Sequence, residues 1–313
     1  MDRPRYAYLG PSGTFTEQAL AQVVSPEQGE YLPYPDVTSS LEAVRSGSAD
    51  FAVVAIESTG DGGVTATLDA LATGSPLVLL REMLVPVQFD LVAAPGTTLS
   101  QVRRVSAHPH AWVQCRGWLS THVPGAVHVP AASNTAPALV LASGERSPAF
   151  DAALVPPTAV EAYGLSALAR QVADSDGLIT RFVLVGHPGD VPPRTGADKT
   201  TLVVQLPDDE SGALMSMLEQ FAVRGINLSR IESRPVGDSL GRYSFSIDCE
   251  GHLMDERIGE ALMGLHRTCP YVRFLGSYPR ADGTAQQVTV GTSDVEFADA
   301  RRWLAALRDS EPR

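Results

Sequence analysis

Short apolar runs alternate with helix-period segments through the first 186 residues of this chain. The runs are Phe51 to Ile56, Leu77 to Leu80, Ala152 to Val155 and Arg181 to Val185. Alternation of this kind predicts an α/β region built on a largely parallel sheet. Two helix starts stand out, Thr14-Phe15-Thr16-Glu17 and Ser39-Ser40-Leu41-Glu42. Both fit a capping box, in which the hydroxyl accepts from the third amide and the glutamate reaches back. The free amides of each start would also attract an anion.

The pattern breaks at Gly186 to Gly196, where Pro188, Pro192 and Pro193 join Gly186, Gly189 and Gly196. Such a segment sustains neither helix nor central strand, and a domain boundary is expected there. Beyond it the order reads strand (200–206), helix (212–224), strand (228–235), strand (243–249), helix (255–267), strand (272–278). That βαββαβ order predicts a small ferredoxin-like domain. The last periodic segment, 294–308, places Val295, Phe297, Ala298, Trp303, Leu304 and Leu307 at mostly helical spacing. It is expected to be an amphipathic helix packed on a neighbour.

With 313 residues and 44% hydrophobic content, the chain has material for two cores. A net charge of −12 and the lack of a Lys/Arg-rich run exclude nucleic acid as a natural partner and leave a small molecule. No apolar run approaches a membrane span, and the N-terminus enters a strand-like Arg5-Tyr6-Ala7-Tyr8-Leu9 without a signal-peptide pattern, so a cytoplasmic protein is expected. Cys115, Cys249 and Cys269 are odd in number and widely spaced, which predicts buried structural thiols in place of disulfides or a zinc site.

Four segments carry candidate chemistry. Tyr8 to Glu17 runs strand, Gly-Pro turn, capped helix, and presents amides and small hydroxyls at a sheet's carboxyl edge. It lacks both the P-loop and the GxGxxG pattern, which disfavours a nucleotide cofactor. Val54 to Val64 repeats the design, with Glu57, Ser58 and Thr59 leading into a glycine loop where Glu57 and Asp61 form a conceivable acid/base pair; an ordinary βα turn fits equally well. His108 and His110 invite a metal reading, but Pro109 between them starts a helix and no third ligand clusters nearby. Thr180-Arg181-Phe182 opens an apolar strand with a hydroxyl and a guanidinium, a pattern that sheet-edge capping alone also explains.

Taken together, Gly10-Pro11-x-Gly13-Thr14-Phe15, Glu57-x-x-x-x-Gly62-x-Val64-x-x-Thr67-Leu68-Asp69, Thr180-Arg181-Phe182 and Ile231-Glu232-Ser233-Arg234-Pro235 resemble the prephenate dehydratase family with a C-terminal ACT domain. The resemblance covers nearly the whole chain in family order. It implies a two-lobed, periplasmic-binding-protein-like catalytic domain (1–186) with prephenate in the cleft, a linker (187–198), a phenylalanine-binding ACT domain (199–281) and a C-terminal tail (282–313). A homodimer or homotetramer comes with that arrangement. Thr180 and Glu57 are the implied catalytic residues, and Gly13, Thr14, Ser58, Thr59, Ser133, Asn134, Arg181 and Phe182 the implied substrate contacts. Gly212, Ala213, Leu214, Asn227, Leu228, Glu232, Ser233, Arg234 and Pro235 would shape the effector pocket.

Prephenate loses carbon dioxide and water to become aromatic phenylpyruvate, and aromatisation drives the reaction without a metal or redox cofactor. The protein must hold a dianion and protonate the departing hydroxyl, so Thr180 is expected to orient or pass a proton with Glu57, while Arg181 fixes the cleft or a carboxylate. Three positions depart from the family pattern: Ser58 and Leu178 stand where asparagine is usual, and His110 where glutamine is usual. Two other readings stay open on that account. One is a nonaromatising prephenate decarboxylase, and the other is a catalytically inactive sensor of phenylalanine.

Overall fold

A computed structural model describes residues 3–60, 62–143, 147–206, 211–235 and 243–309. The chain divides into two compact units, Met1–Ala70 with Met83–Val185, and Leu71–Glu82 with Gly186–Arg313.

The first unit opens with β1 (Arg5–Leu9), α1 (Phe15–Ala21), β2 (Glu30–Tyr34), α2 (Val37–Arg45), β3 (Phe51–Ser58), β4 (Gly62–Gly63), α3 (Thr65–Ala72) and β5 (Val78–Pro86), the last two elements running across the division. It continues through β6 (Asp90–Ala93), β7 (Arg104–Ala107), α4 (Pro109–Gln114), α5 (Arg116–His122), β8 (Val127–Pro130), α6 (Ala136–Ala142), β9 (Ala152–Val155), α7 (Pro157–Ala162) and β10 (Ala167–Ala169), and closes with β11 (Ile179–Gly186). Two sheets result, in the orders β2-β1-β3-β11-β5 and β10-β6-β9-β7-β8. Each anchors one lobe.

The sheets are more mixed than the sequence pattern predicts. β1 pairs parallel with β2 and β3, and β7 with β8 and β9, but β6 runs antiparallel to both β9 and β10. Why Ala152 to Val155 reads as an unbroken apolar run is now plain. Ala152 and Leu154 enter one core with Leu91, Val105 and Leu119, while Ala153 and Val155 enter another with Val92, Ala138 and Val160. A strand covered on both faces shows no alternation. Each fully buried Leu or Val contributes about 1.5–3 kcal/mol.

The capping predictions divide. Thr14 caps α1, its Oγ1 accepting from Glu17 N at 3.2 Å and donating to Leu9 O at 2.9 Å. The second helix begins three residues earlier than expected. Asp36, not Ser39, is its cap, accepting from Ser39 N at 2.7 Å, so Ser39 lies inside the first turn. The glycine loop after β3 also differs from a βα turn, since Gly62 and Gly63 fold back antiparallel on Ser58 and Glu57. Asp61 lies outside the described residues.

The second unit adds β12 (Asp198–Gln205), α8 (Ala213–Ala222), β13 (Leu228–Pro235), β14 (Tyr243–Glu250), α9 (Glu256–Thr268), β15 (Tyr271–Pro279) and α10 (Asp294–Asp309). Its sheet, ordered β13-β14-β12-β15, is antiparallel throughout, which is the ferredoxin-like βαββαβ topology. Leu202, Val204, Phe245 and Ile247 pack against Met217, Phe221, Ile258 and Leu265 of α8 and α9. Other sheet residues form a buried polar network. Arg230 donates to both carboxylate oxygens of Asp248 at 2.9 and 3.0 Å, and Thr201 Oγ1 donates to Asp248 at 2.8 Å. Lys199 donates to Glu82 at 2.9 Å, and Glu82 also accepts from Ala281 N at 2.9 Å.

α10 forms where expected, but only part of its apolar face is covered: Phe297 and Ala298 are half-buried and the others are exposed. Val295, Trp303 and Leu307 are 74%, 64% and 53% exposed, and polar tethers hold the helix, Arg194 to Asp294 and Arg301 to Glu256. Cys115 and Cys249 are buried thiols as expected, whereas Cys269 is half-exposed. No described helix is long and apolar enough to cross a membrane.

Candidate functional site

Between the two lobes of the first unit lies a cleft of about 300 Å³. Thr14, Phe15, Ser58, Thr180 and Phe182 line it from the first lobe, and His108, His110, Gln114, Ser133, Asn134 and Thr135 from the second.

The Gly10 to Gly13 turn is clamped across this cleft. Gly13 has φ +86°, and a Cβ there would come within 2.7 Å of the Ala159 backbone in α7, so only glycine fits on both counts. Thr158 Oγ1 donates to Gly13 O at 2.9 Å and Tyr163 OH to Ser12 O at 2.8 Å. The anion cradle expected at this turn is already filled by the protein itself. The Glu17 carboxylate folds back to accept from Gly13 N and from Ser12 Oγ. Burial, reinforced by the nearby Glu17 charge, pushes the Tyr8 phenol well above its ordinary value.

Strand alternation reassigns the polar pair at the head of β11. Thr180 lines the cleft and its Oγ1 donates to Ser58 Oγ at 3.5 Å. Arg181, the next residue, is only 6% exposed, and its Nε donates to Glu57 Oε2 at 3.1 Å. Neither Arg181 nor Glu57 is a cleft-lining residue. The Thr180 hydroxyl therefore meets Ser58 and not Glu57, the partner expected from the sequence, and Arg181 pairs with Glu57. Successive strand residues face opposite sides, so Ser58 and Thr180 share one side and Glu57 and Arg181 the other.

Of the remaining expected contacts, Asn134 and Phe182 line the cleft, as does Ser133, whose Oγ accepts from Ala136 N at 3.0 Å. Thr59 does not; its backbone and hydroxyl tie the end of β3 to Ile179, both at 3.0 Å. Leu178, thought to replace an asparagine in the cleft, packs instead against the second lobe's core.

Gln114 was missed by sequence reasoning. Its Oε1 and the Oδ1 of Asn134 are buried at the cleft with no hydrogen-bond partner among the described residues. An orphaned buried amide costs about 1–3 kcal/mol, a deficit that a bound ligand removes. The spacing His108, Ala111, Gln114 put all three on one helical face and was the available signal. The neighbouring Cys115 is no nucleophile, because burial pushes its thiol up to about 12. His108 and His110 stack edge-to-face with ring centroids 5.0 Å apart, and no group of three potential metal ligands exists among the described residues.

In the second unit, Gly212 and Ala213 line a cavity with Ser211, Ser216, Met217, Thr268 and Cys269. Leu214 and the candidates from Asn227 to Pro235 are not in its lining. Leu228 to Pro235 form β13, an edge strand on which Ile231 is 44% exposed.

A family model for prephenate dehydratase matches residues 6–190. The chain belongs to the prephenate dehydratase family. Prephenate dehydratase from Mycobacterium tuberculosis H37Rv is 44% identical over 98% of this chain and 95% of its own length. The crystal structure of prephenate dehydratase from Arthrobacter aurescens in complex with L-Phe is 51% identical, covers 98% of this chain and all of its own, and has a TM-score of 0.93. A more distant structure, GqqA, described as a novel type of quorum quenching acylase, is 28% identical over 88% of this chain and 97% of its own, with a TM-score of 0.75.

Proposed function

We propose that the interlobe cleft converts prephenate to phenylpyruvate, carbon dioxide and water. The observation that carries this reading is the Thr180 and Ser58 hydroxyl pair set beside two orphaned amides, those of Gln114 and Asn134, in one cleft. In the proposed reaction the carbon–carboxylate bond breaks, its electrons enter the ring, and the ring hydroxyl leaves as water once protonated. Thr180 orients that hydroxyl and relays to it a proton drawn from solvent through the Ser58 hydroxyl, so that neither hydroxyl is left as an alkoxide, and the amides face the polar edges of the substrate. A 3.5 Å contact between the two hydroxyls is long, and such contacts tighten when substrate enters.

Incubation of the purified chain with prephenate tests the reading by product. Phenylpyruvate is expected. A nonaromatic dihydro product would assign a decarboxylase, and no consumption at all would assign a sensor.

The ferredoxin-like part of the second unit is proposed to be an ACT regulatory domain responding to phenylalanine. Support comes from its βαββαβ topology and from the L-Phe complex of the 51%-identical relative. Because the helix α8 candidates and the β13 candidates do not share one cavity in a single chain, the proposed pocket draws α8 from one copy and the exposed edge β13 from another in a homodimer or homotetramer. Gly212 begins α8 at φ +92° with open space where its Cβ would point. Gly212→Trp is expected to abolish the effect of phenylalanine on turnover, measured by titrating phenylalanine into the assay; a response matching the parent chain rejects this pocket.

A further inference from the structure

We propose that the outward face of α10 docks against α10 of a second copy of this chain, the two helices running antiparallel. One side of the helix is committed to its own unit. Asp294 accepts from Glu256 N at 3.0 Å and from Arg194 at 2.6 Å, Arg301 donates to Glu256, and Phe297 on the same side is half-buried. At about 100° per residue, the opposite side carries Val295, Asp299, Trp303 and Leu307, a row at i+4 spacing in which every residue is exposed. From Asp299 to Asp309 the helix is exposed throughout. An indole and two aliphatic side chains on one row, in a helix fixed by ion pairs, mark a contact surface and not a loose end.

Charge selects the partner. The row is self-complementary about the middle of the helix. Turned end for end, it sets Val295 against the second copy's Leu307, and Asp299 against the second copy's Arg302 and Trp303. Each carboxylate then meets a guanidinium and an indole N–H, and the exchange occurs twice about a two-fold axis, as an isologous contact requires. A parallel pair would oppose Asp299 to Asp299 and Arg302 to Arg302, like charges that repel. Within one helix Asp299 and Arg302 already pair at 3.2 Å, but both are about three-quarters exposed. A pair so open to water contributes little, so exchanging it for bonds between copies costs little. An anionic membrane surface is a poorer fit, since Glu296 and Asp299 lie on this same side. Two helices of about 24 Å bury less than the roughly 1,200 Å² of a stable interface, so this contact adds to others between copies and sets how tightly they hold.

Sedimentation velocity of the full chain over a range of concentrations tests the pairing. The parent chain should assemble, and Trp303→Glu should raise the dissociation constant by about tenfold or more or remove one step of assembly. Asp299→Arg and Arg302→Asp should each assemble more weakly alone, while an equimolar mixture of the two recovers the parent's affinity. Neither chain in that mixture regains its intrahelical pair, so recovery reports charges meeting between copies. In a Cys269→Ser background, Val295→Cys mixed with Leu307→Cys should cross-link under mild oxidation, and Val295→Cys alone should not; the reverse pattern overturns the antiparallel arrangement. A monomeric parent, a Trp303→Glu chain that assembles like the parent, or a mixture no tighter than its separate components overturns the docking surface. Flotation with anionic vesicles that carries the parent but not Trp303→Glu, with assembly unchanged, gives this face to a membrane and overturns it too.

Discussion

Thr180→Val lowers the turnover of prephenate by roughly 100-fold or more, the range in which general acid/base groups operate. Valine keeps the β-branched shape that suits β11, so the strand and the buried Phe182 beside it should hold their places. Only the hydroxyl facing Ser58 is removed. KM should move little, because the orphaned amides of Gln114 and Asn134 remain. Steady-state kinetics check both parts, and a variant with near-parental kcat removes Thr180 from the chemistry.

The largest expected effect on stability lies in the second unit. Lys199→Met removes the ammonium that donates at 2.9 Å to the Glu82 carboxylate, whose side chain is only 2% exposed. Removing one member of a buried ion pair costs about 3–5 kcal/mol, whereas replacing both by neutral groups costs much less. Denaturant unfolding followed in the transition of this unit should show that loss, and Lys199→Met/Glu82→Gln should recover a good part of it. Equal losses in the single and double variants would mean that packing of the lysine stem, and not its charge, matters there.

Much of the fold was legible because its signals are local. Ala152 to Val155 and Leu228 to Pro235 form strands at the expected residues, each bounded by turn chemistry. The βαββαβ order followed from the same reading of the chain. Less legible were features decided by position or by direction. Asp36, three residues before Ser39, takes the cap by accepting from Ser39 N, so the helix starts a turn earlier than the Ser39 signal alone suggests. Arginine and threonine side by side at Thr180-Arg181 look like one functional unit in a linear string, yet a pleated strand sends them to opposite sides. The same rule splits Glu57 from Ser58 and hands Ser58 to Thr180. Gln114 escaped because its relation to the cleft runs through a helical face and not through adjacency. The apolar residues of α10 have helical spacing whether or not a neighbour covers them, so spacing alone predicted packing that Phe297 and Ala298 show in part and Val295, Trp303 and Leu307 do not.

The central claim is that Thr180 and Ser58 act as one device in the cleft. A double-mutant cycle on kcat for prephenate, using Ser58→Ala, Thr180→Val and the pair together, measures that coupling directly. If the two hydroxyls work as a unit, the double variant should be scarcely slower than Thr180→Val alone. Losses that multiply, as for independent residues, would contradict the account.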